Sequence, residues 1–487
     1  MSERLTFNLG LGRRELRDRV DWVTPPAHGT LSEAAAPYLP PVERPNWGFW
    51  GVFAFTALLF FRPQDTIPAI GPLHLPEVVA VGALAAMISH RLSRGLPLVR
   101  MSPELLGVFA MAAVMIFTTP FSIWPGGAME TLTDIYFKVV LVFILTINSI
   151  KAVRTLKWFT WLILCAMGYV ATRGVLDFVR GVNLIRGDRL HGSISGLMGN
   201  PNDLAMNMVT FLPLAVFIAI SRGRPMPRMI AGFIALMMAL TVIFTKSRAG
   251  LLGLAVAIVI LVYEGRKIRK GIGMAVLVSI LAMVPLAPGW LWKRITSITN
   301  PEDDETGSRQ ARKDLMREAF QTFVDHPITG VGAGQFKNYN PPGRLEPWRE
   351  AHNVELQIAA EIGIFGLLAF LYLLWQSVAS LLWTRRLFAT GPLRARPPTG
   401  LEGKIPATMA FRPEELAWMR MHTAALSASL AGWIVCAQFA SVGYYWTFYY
   451  LFGLIVAGRE LSRERIIAAH KATQPGPRLV WNQRKTA

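Results

Sequence analysis

Apolar runs of about 15 to 20 residues recur along this chain, each bounded by a short polar stretch. That pattern constrains the fold more than any single motif. A bilayer's hydrocarbon core is about 30 Å thick and a helix rises about 1.5 Å per residue, so roughly 20 apolar residues cross it. In lipid every backbone N–H and C=O must be satisfied within the structure, and a helix does this unaided. The expectation is an all-α polytopic membrane protein, and a composition that is 52% hydrophobic agrees with it. A net charge of +19 would suit a nucleic-acid binder. Here, however, Lys and Arg fall in short clusters between apolar runs, the arrangement that orients a membrane protein, which argues against nucleic acid as a partner. Cys165 and Cys436 both lie inside apolar runs and indicate neither a disulfide framework nor a metal cluster.

Twelve spans are expected. Residues 1–46 read as a cytoplasmic tail, with no apolar stretch of the signal-peptide kind. Residues 47–290 hold spans one to nine: Trp47 to Phe61, Leu75 to Ser89, Leu105 to Trp124, Ile135 to Ile150, Trp158 to Phe178, Leu204 to Ile220, Met229 to Thr245, Ala249 to Tyr263 and Ile272 to Trp290. Residues 291–352 form a long periplasmic loop with an interfacial helix. Residues 353–457 hold span ten (Val354 to Trp383), span eleven (His422 to Ala440) and span twelve (Tyr444 to Val456), with a cytoplasmic loop at 384–421, and 458–487 are a second cytoplasmic tail. One set of alternate loops is basic throughout, for example Arg91, Arg94 and Arg100, Arg222, Arg224 and Arg228, or Arg266, Lys267, Arg269 and Lys270. By the positive-inside rule that set is cytoplasmic, and both termini lie with it.

The exceptions to that rule carry the chemistry. On the outer side stand Arg173, Arg180, Arg186 and Arg189, then Lys246 and Arg248 in a short turn, then a loop with nine basic and nine acidic residues between Leu291 and Ala351. Basic residues in short outer loops work against orientation, so their charge points to an anionic ligand. Asn200, Pro201, Asn202 and Asp203 read as a turn and helix cap before span six. Residues 311–324 place Leu315, Ala319, Phe320 and Phe323 at amphipathic helical spacing, expected on the outer membrane–water interface. The HPITGVGAGQF stretch that follows is glycine-rich, but no strand precedes it and no Gly-Lys-Ser/Thr follows, so a phosphate loop is disfavoured. In AHNVELQIAAEIGIFG, His352 and Asn353 sit at the edge of span ten, with Gly363 and Gly366 three apart on one helix face as expected packing positions.

These motifs, in this order, resemble the O-antigen ligase and O-antigen polymerase superfamily of bacterial envelope glycosyltransferases. The matches are GNPNDLA before span six, TKSRAG between spans seven and eight, Arg312 upstream of DHPITGVGAGQF, and His-Asn, nine residues, Gly, two residues, Gly from His352 to Gly366. The resemblance implies a GT-C-like arrangement and a glycosyl transfer at the periplasmic face of the bacterial inner membrane, with neither metal nor other cofactor. The implied donor is a glycan on undecaprenyl pyrophosphate, and the implied acceptor is a hydroxyl of the lipid A core, or else another glycan or a protein; membrane lipids are further partners.

The roles that follow are His352 as catalytic base or hydroxyl-orienting group and Arg248, Arg312 and Arg189 as pyrophosphate ligands. An imidazole suits proton acceptance near neutrality, and a guanidinium fork matches phosphate oxygens and stabilises charge growing on a leaving pyrophosphate. Each has a plainer rival. His352 taken alone reads as a polar residue near a helix start, and it is the surrounding pattern that favours the base; Arg248 reads also as a snorkelling anchor, and Arg312 and Arg189 compete with Arg309 and Arg186 for the same role. Asn353 either caps span ten or contacts a sugar. A polymerase of the same superfamily is the second functional reading. A transporter of an anion or lipid-linked intermediate is the third, disfavoured by the absence of an internal repeat and of charges buried mid-span.

Overall fold

The computed structural model describes residues 46–63, 67, 72–185, 187–192, 198–268, 289, 308–345, 348–388 and 407–473, excepting the side chains of 267, 268, 308, 309 and 409. All of these belong to one unit, Pro37–Ala487. Local sequence explains where the helices begin. Asn46 accepts from the Phe49 amide at 2.8 Å and starts α1 (Trp47–Phe61). Proline at the first helical positions and a Ser102 cap start α3 (Pro103–Thr118), which follows α2 (Leu75–Ser93). A 3-10 turn, Thr119–Phe121, leads to α4 (Pro125–Glu130), which runs through a π-helical turn, Thr131–Tyr136, into α5 (Phe137–Ser149).

The long α6 (Val153–Val179) is followed by a minimal hairpin, β1 (Leu184–Ile185) and β2 (Arg189–Leu190), in which Ile185 pairs with Arg189. Asn200 then caps α7 (Pro201–Ile220), and α8 (Pro225–Phe244) returns against it before α9 (Arg248–Ile268). After the amphipathic α10 (Ser308–Asp325) come α11 (Val354–Phe388), a single turn α12 (Ala407–Ala410), α13 (Pro413–Ala437) and α14 (Trp446–Thr473). The core is made where α3 packs on α11, α9 and α7 on α13, and α5 on α14. It is filled by side chains such as Phe143, Phe159, Phe211, Phe370, Trp433 and Tyr450.

Seven of these helices are long and apolar enough to cross a membrane: α2, α3 with its 3-10 extension, α6, α7, α8, α9 and α11. Helices also form where spans one, four, eleven and twelve were expected. Of these, α1 and α5 are only 15 and 13 residues long, while α13 and α14 carry charges such as Glu414, Glu415, Arg459 and Glu460. The stretch expected as span nine lies outside the described residues apart from Gly289.

Two expectations change. Gly363 and Gly366 do not share a continuous helix face: α11 breaks at Ile362 (φ −129°, ψ 16°) and Gly363 (φ 70°, ψ −169°). Residues 354–361 are a half-helix, and 364–388, about 37 Å at the rise of an α-helix, form the apolar run. A charge is also buried inside an expected span, against the sequence expectation. Glu361 sits at the break, 3% exposed, and Glu104 at the start of α3 is fully buried. At that far end Glu104 pairs with Arg459 of α14 at 2.8 Å and accepts from Ser380 of α11. Glu264 of α9 pairs with Arg385 of α11 at 2.5 Å, and Glu415 of α13 with Arg465 of α14 at 2.7 Å. Helices α9, α11 and α14 all start at the His352 end, so these pairs lock the opposite end of the bundle.

Candidate functional site

The glycine-rich stretch after α10 is a strap around the break in α11. A broken helix leaves backbone groups without their i−4 partners, and buried ones must be satisfied elsewhere. Here Val331 and Gly332 donate their amides to the carbonyls of Ala360 (2.9 Å) and Glu361 (2.8 Å), while Ile364 donates to Pro327 at 2.8 Å. The strap lies so close that only glycine fits at two points. A Cβ on Gly330 (φ +61°) would stand 2.3 Å from the carbonyl carbon of Glu361, and one on Gly363 would stand 2.2 Å from the Ile328 oxygen. The Glu361 carboxylate closes the arrangement by accepting from the amides of Gly334 (3.0 Å) and Phe336 (3.3 Å) and from Gln357 (3.3 Å). The glycines therefore serve helix–loop contact. Outside the strap, α10 packs on α11 with Leu315 and Ala319 fully buried, so the face expected at the membrane interface is in protein contact there; Phe320 is half-exposed.

The tip of the half-helix is held by the turn between α13 and α14. The His352 amide donates to Ser441 Oγ at 3.0 Å with φ +52°, a left-handed backbone for a non-glycine residue. Asn353 Oδ1 caps the half-helix through the Leu356 amide at 2.8 Å, and its Nδ2 donates to Gln438 at 3.3 Å. Gln438 in turn donates to Glu355 at 2.8 Å. The cap reading of Asn353 is thus the one its geometry carries. Just before that turn, the Cys436 thiol contacts the carbonyl of Ala249 at 3.4 Å, which brings the first turn of α9, and Arg248 with it, to the same corner.

Three motifs meet beside it. Arg189, presented by β2, donates to the Thr245 carbonyl at 3.2 Å and to Asn202 Oδ1 at 3.4 Å. Asn202 Oδ1 also accepts from Ser247 Oγ at 2.7 Å. Arg189, GNPNDLA and TKSRAG therefore form one hydrogen-bonded unit. Arg312 reaches His352 from α10 electrostatically, and so does Arg349. Burial first, then these two guanidinium groups, push the imidazole down to about 4, so at neutral pH it is uncharged and able to accept a proton. Arg186 and the side chain of Arg309 lie outside the described residues.

Sequence reasoning passed over Arg349, Glu350, Glu361, Gln438 and Ser441. Glu350, two residues before His352, is pushed up by burial against the opposing pull of Lys337. Glu361 had a usable signal, because it is the one carboxylate between Leu356 and Trp383, and an ionisable group in such a run is a functional candidate by default. Gln438 and Ser441 had none, since their role is set by a neighbour more than 80 residues away.

A polytopic helical membrane protein with a basic, imidazole-bearing site at one end of its bundle is the class that fold and geometry define. Residues 233–371 match the family model for O-antigen ligase, and this match supports the O-antigen ligase superfamily for the chain. The matched segment runs from α8 to the middle of α11 and contains Arg248, Arg312, His352, the strap and the break. It supports an O-antigen ligase- or polymerase-like membrane enzyme. No curated protein matches the chain.

Proposed function

We propose that the protein is an O-antigen ligase-like glycosyltransferase acting at the periplasmic face of the inner membrane, with undecaprenyl-pyrophosphate-linked glycan as donor and a lipid A core hydroxyl as acceptor. The observation that carries this reading is His352, neutral and held at the tip of the strapped half-helix, with Arg312 and Arg349 acting on it and Arg248 brought to the same corner. In the transfer, the acceptor oxygen attacks the anomeric carbon of the donor glycan. The bond from that carbon to the pyrophosphate oxygen breaks, and the hydroxyl proton passes to the His352 imidazole. Arg248, Arg312 and Arg189 take the charge that grows on the departing undecaprenyl pyrophosphate. A low imidazole pKa suits this cycle: burial and, after it, the two cations keep the base empty, and an anionic pyrophosphate that offsets the cations raises its proton affinity as the donor binds.

The test is the envelope of a deletion strain, read as a lipopolysaccharide gel beside an extract of its undecaprenyl-linked glycans. Bare core with long chains stranded on the lipid carrier is the expected result. Core bearing one repeat unit would make the protein a polymerase, and two profiles matching the parent would overturn the reading.

A further inference from the structure

We propose that Trp348 is a glycan-stacking subsite beside the transfer site, taking the apolar face of a pyranose ring of one of the two substrates. The inference rests on the ligase reading above and adds to it the residue that recognises sugar rather than pyrophosphate.

Trp348 is 71% exposed, although burying so large an aromatic is normally a strong driving force. Its backbone is left-handed, φ +62°, a conformation that is costly for a bulky side chain and persists only where its surroundings impose it. They do so here. The Trp348 amide donates to Asn340 Oδ1 at 3.0 Å. Arg344 donates to the carbonyls of Phe336 (2.7 Å), Tyr339 and Arg349 (2.8 Å), pairs with Glu318 of α10 at 3.3 Å, and lies over the Phe336 ring at 4.5 Å. The chain on both sides of Trp348 is thus fastened to the strap, whose carboxylate anchor is Glu361. A backbone fastened in this way has met part of the ordering cost before any ligand arrives.

Position selects the ligand. The next residue, Arg349, acts electrostatically on His352, and Trp348 precedes that imidazole by four residues, at most about 14 Å of extended chain. An oligosaccharide reacting at His352 reaches that far. A pyranose presents a C–H face and hydroxyl edges, so stacking on indole removes apolar surface from both partners and leaves the hydroxyls in water. The competing role for an exposed tryptophan in such a protein is an anchor among lipid headgroups, which would leave binding of a lipid-free glycan unaffected by substitution.

The experiment compares the full-length protein with its W348F, W348L and W348A variants in lipid nanodiscs. One readout is ladder formation from lipid-linked glycan and bare-core lipopolysaccharide, both extracted from the deletion strain. The other is binding of delipidated polysaccharide and delipidated core oligosaccharide from the parent strain, which carry no lipid and no pyrophosphate. W348L and W348A are expected to raise KM for one of the two substrates about tenfold with kcat little changed, and to weaken binding of the matching delipidated glycan similarly, while W348F retains most of both. A W348L variant indistinguishable from the parent would make the residue a membrane anchor and overturn the proposal. Equal binding of both delipidated glycans by W348A and the parent protein would also overturn it. No ladder from the parent protein, with glycan binding still dependent on Trp348, would bring down the ligase reading and leave the subsite standing.

Discussion

The two ends of the helix bundle are both polar, and they are built in different ways. At the end away from His352, side chains meet side chains: Glu104 with Arg459, Glu264 with Arg385, Glu415 with Arg465, and Arg100 with Glu460. At the His352 end the backbone itself is shaped. A helix is broken, a strap of glycines fills the break, and a carboxylate, Glu361, is held by backbone amides. The six non-glycine residues with positive φ among the described residues are Arg62, His74, Asn183, Lys246, Trp348 and His352. All six fall in turns at this end. Ion pairs fix which helices touch, whereas strained backbone fixes where a functional group stands to a fraction of an ångström, and such strain gathers where positioning is the task. The first end is a lock and the second is a jig.

The largest effect that would test this contrast is at His352. His352→Ala is expected to lower glycan transfer at least about a hundredfold with normal protein level in the membrane. Wild-type laddering on a lipopolysaccharide gel, at equal expression by immunoblot, would remove the imidazole from the chemistry. Next comes a matched pair of buried carboxylates. Glu104→Gln removes one of the two carboxylates that Arg459 pairs with, leaving Glu460 at 2.7 Å, and should cost about 1–3 kcal/mol of stability, seen as a lower unfolding midpoint, with the KM values of the surviving enzyme unchanged. Glu361→Gln should lower both the midpoint and kcat, because it loosens the strap that sets His352 against Arg312. Equal behaviour of the two variants would erase the distinction between lock and jig.

A smaller effect is expected for Arg248→Lys. It keeps the charge and loses the planar fork, and should slow transfer about tenfold if the residue holds pyrophosphate. An unchanged rate would leave it as an anchor of α9. The smallest and most specific effect is on pH. A protonated imidazole accepts no proton, and with its pKa held at about 4, His352 is present as the base throughout the neutral range. The kcat/KM of transfer should therefore stay nearly flat from about pH 8 to pH 6 and fall as pH drops through about 4. Because the unfolded imidazole titrates near 6.5, the unfolded state binds the proton first, and wild-type stability should decline as pH falls from 6.5 towards 4. Unfolding midpoints across that window should decline less steeply in His352→Gln.

Much of the site was legible in the chain because each of its motifs is local. GNPNDLA announces a capped helix start, TKSRAG places basic residues in a short outer turn, and His352-Asn353 precedes an apolar run. Asn353 shows how far local reading goes: the choice between cap and sugar contact was open until the Leu356 amide was seen on its Oδ1. Nothing near the glycines of the strap in sequence states their purpose, which depends on Ala360 and Glu361, some 30 residues further on. The break at Gly363 was missed because a glycine followed by another three residues later satisfies a helix-packing pattern equally well.

By itself the sequence determined the all-helical class, the place of most of the long apolar helices, and the resemblance that the family match supports, while α6 and α13 begin five and nine residues before the expected spans. Apolar run length, caps and prolines act within one or two turns, so these follow from neighbours along the chain. The tertiary structure alone decided that α11 is two helices, that Glu361 joins them to the strap, that Arg349 shares His352 with Arg312, and that Ser441 and Gln438 hold the tip in place. Each of these depends on a group whose partner lies far off in sequence. A backbone bond broken inside a helix must find its replacement wherever packing delivers one, and that choice is made in space rather than along the chain.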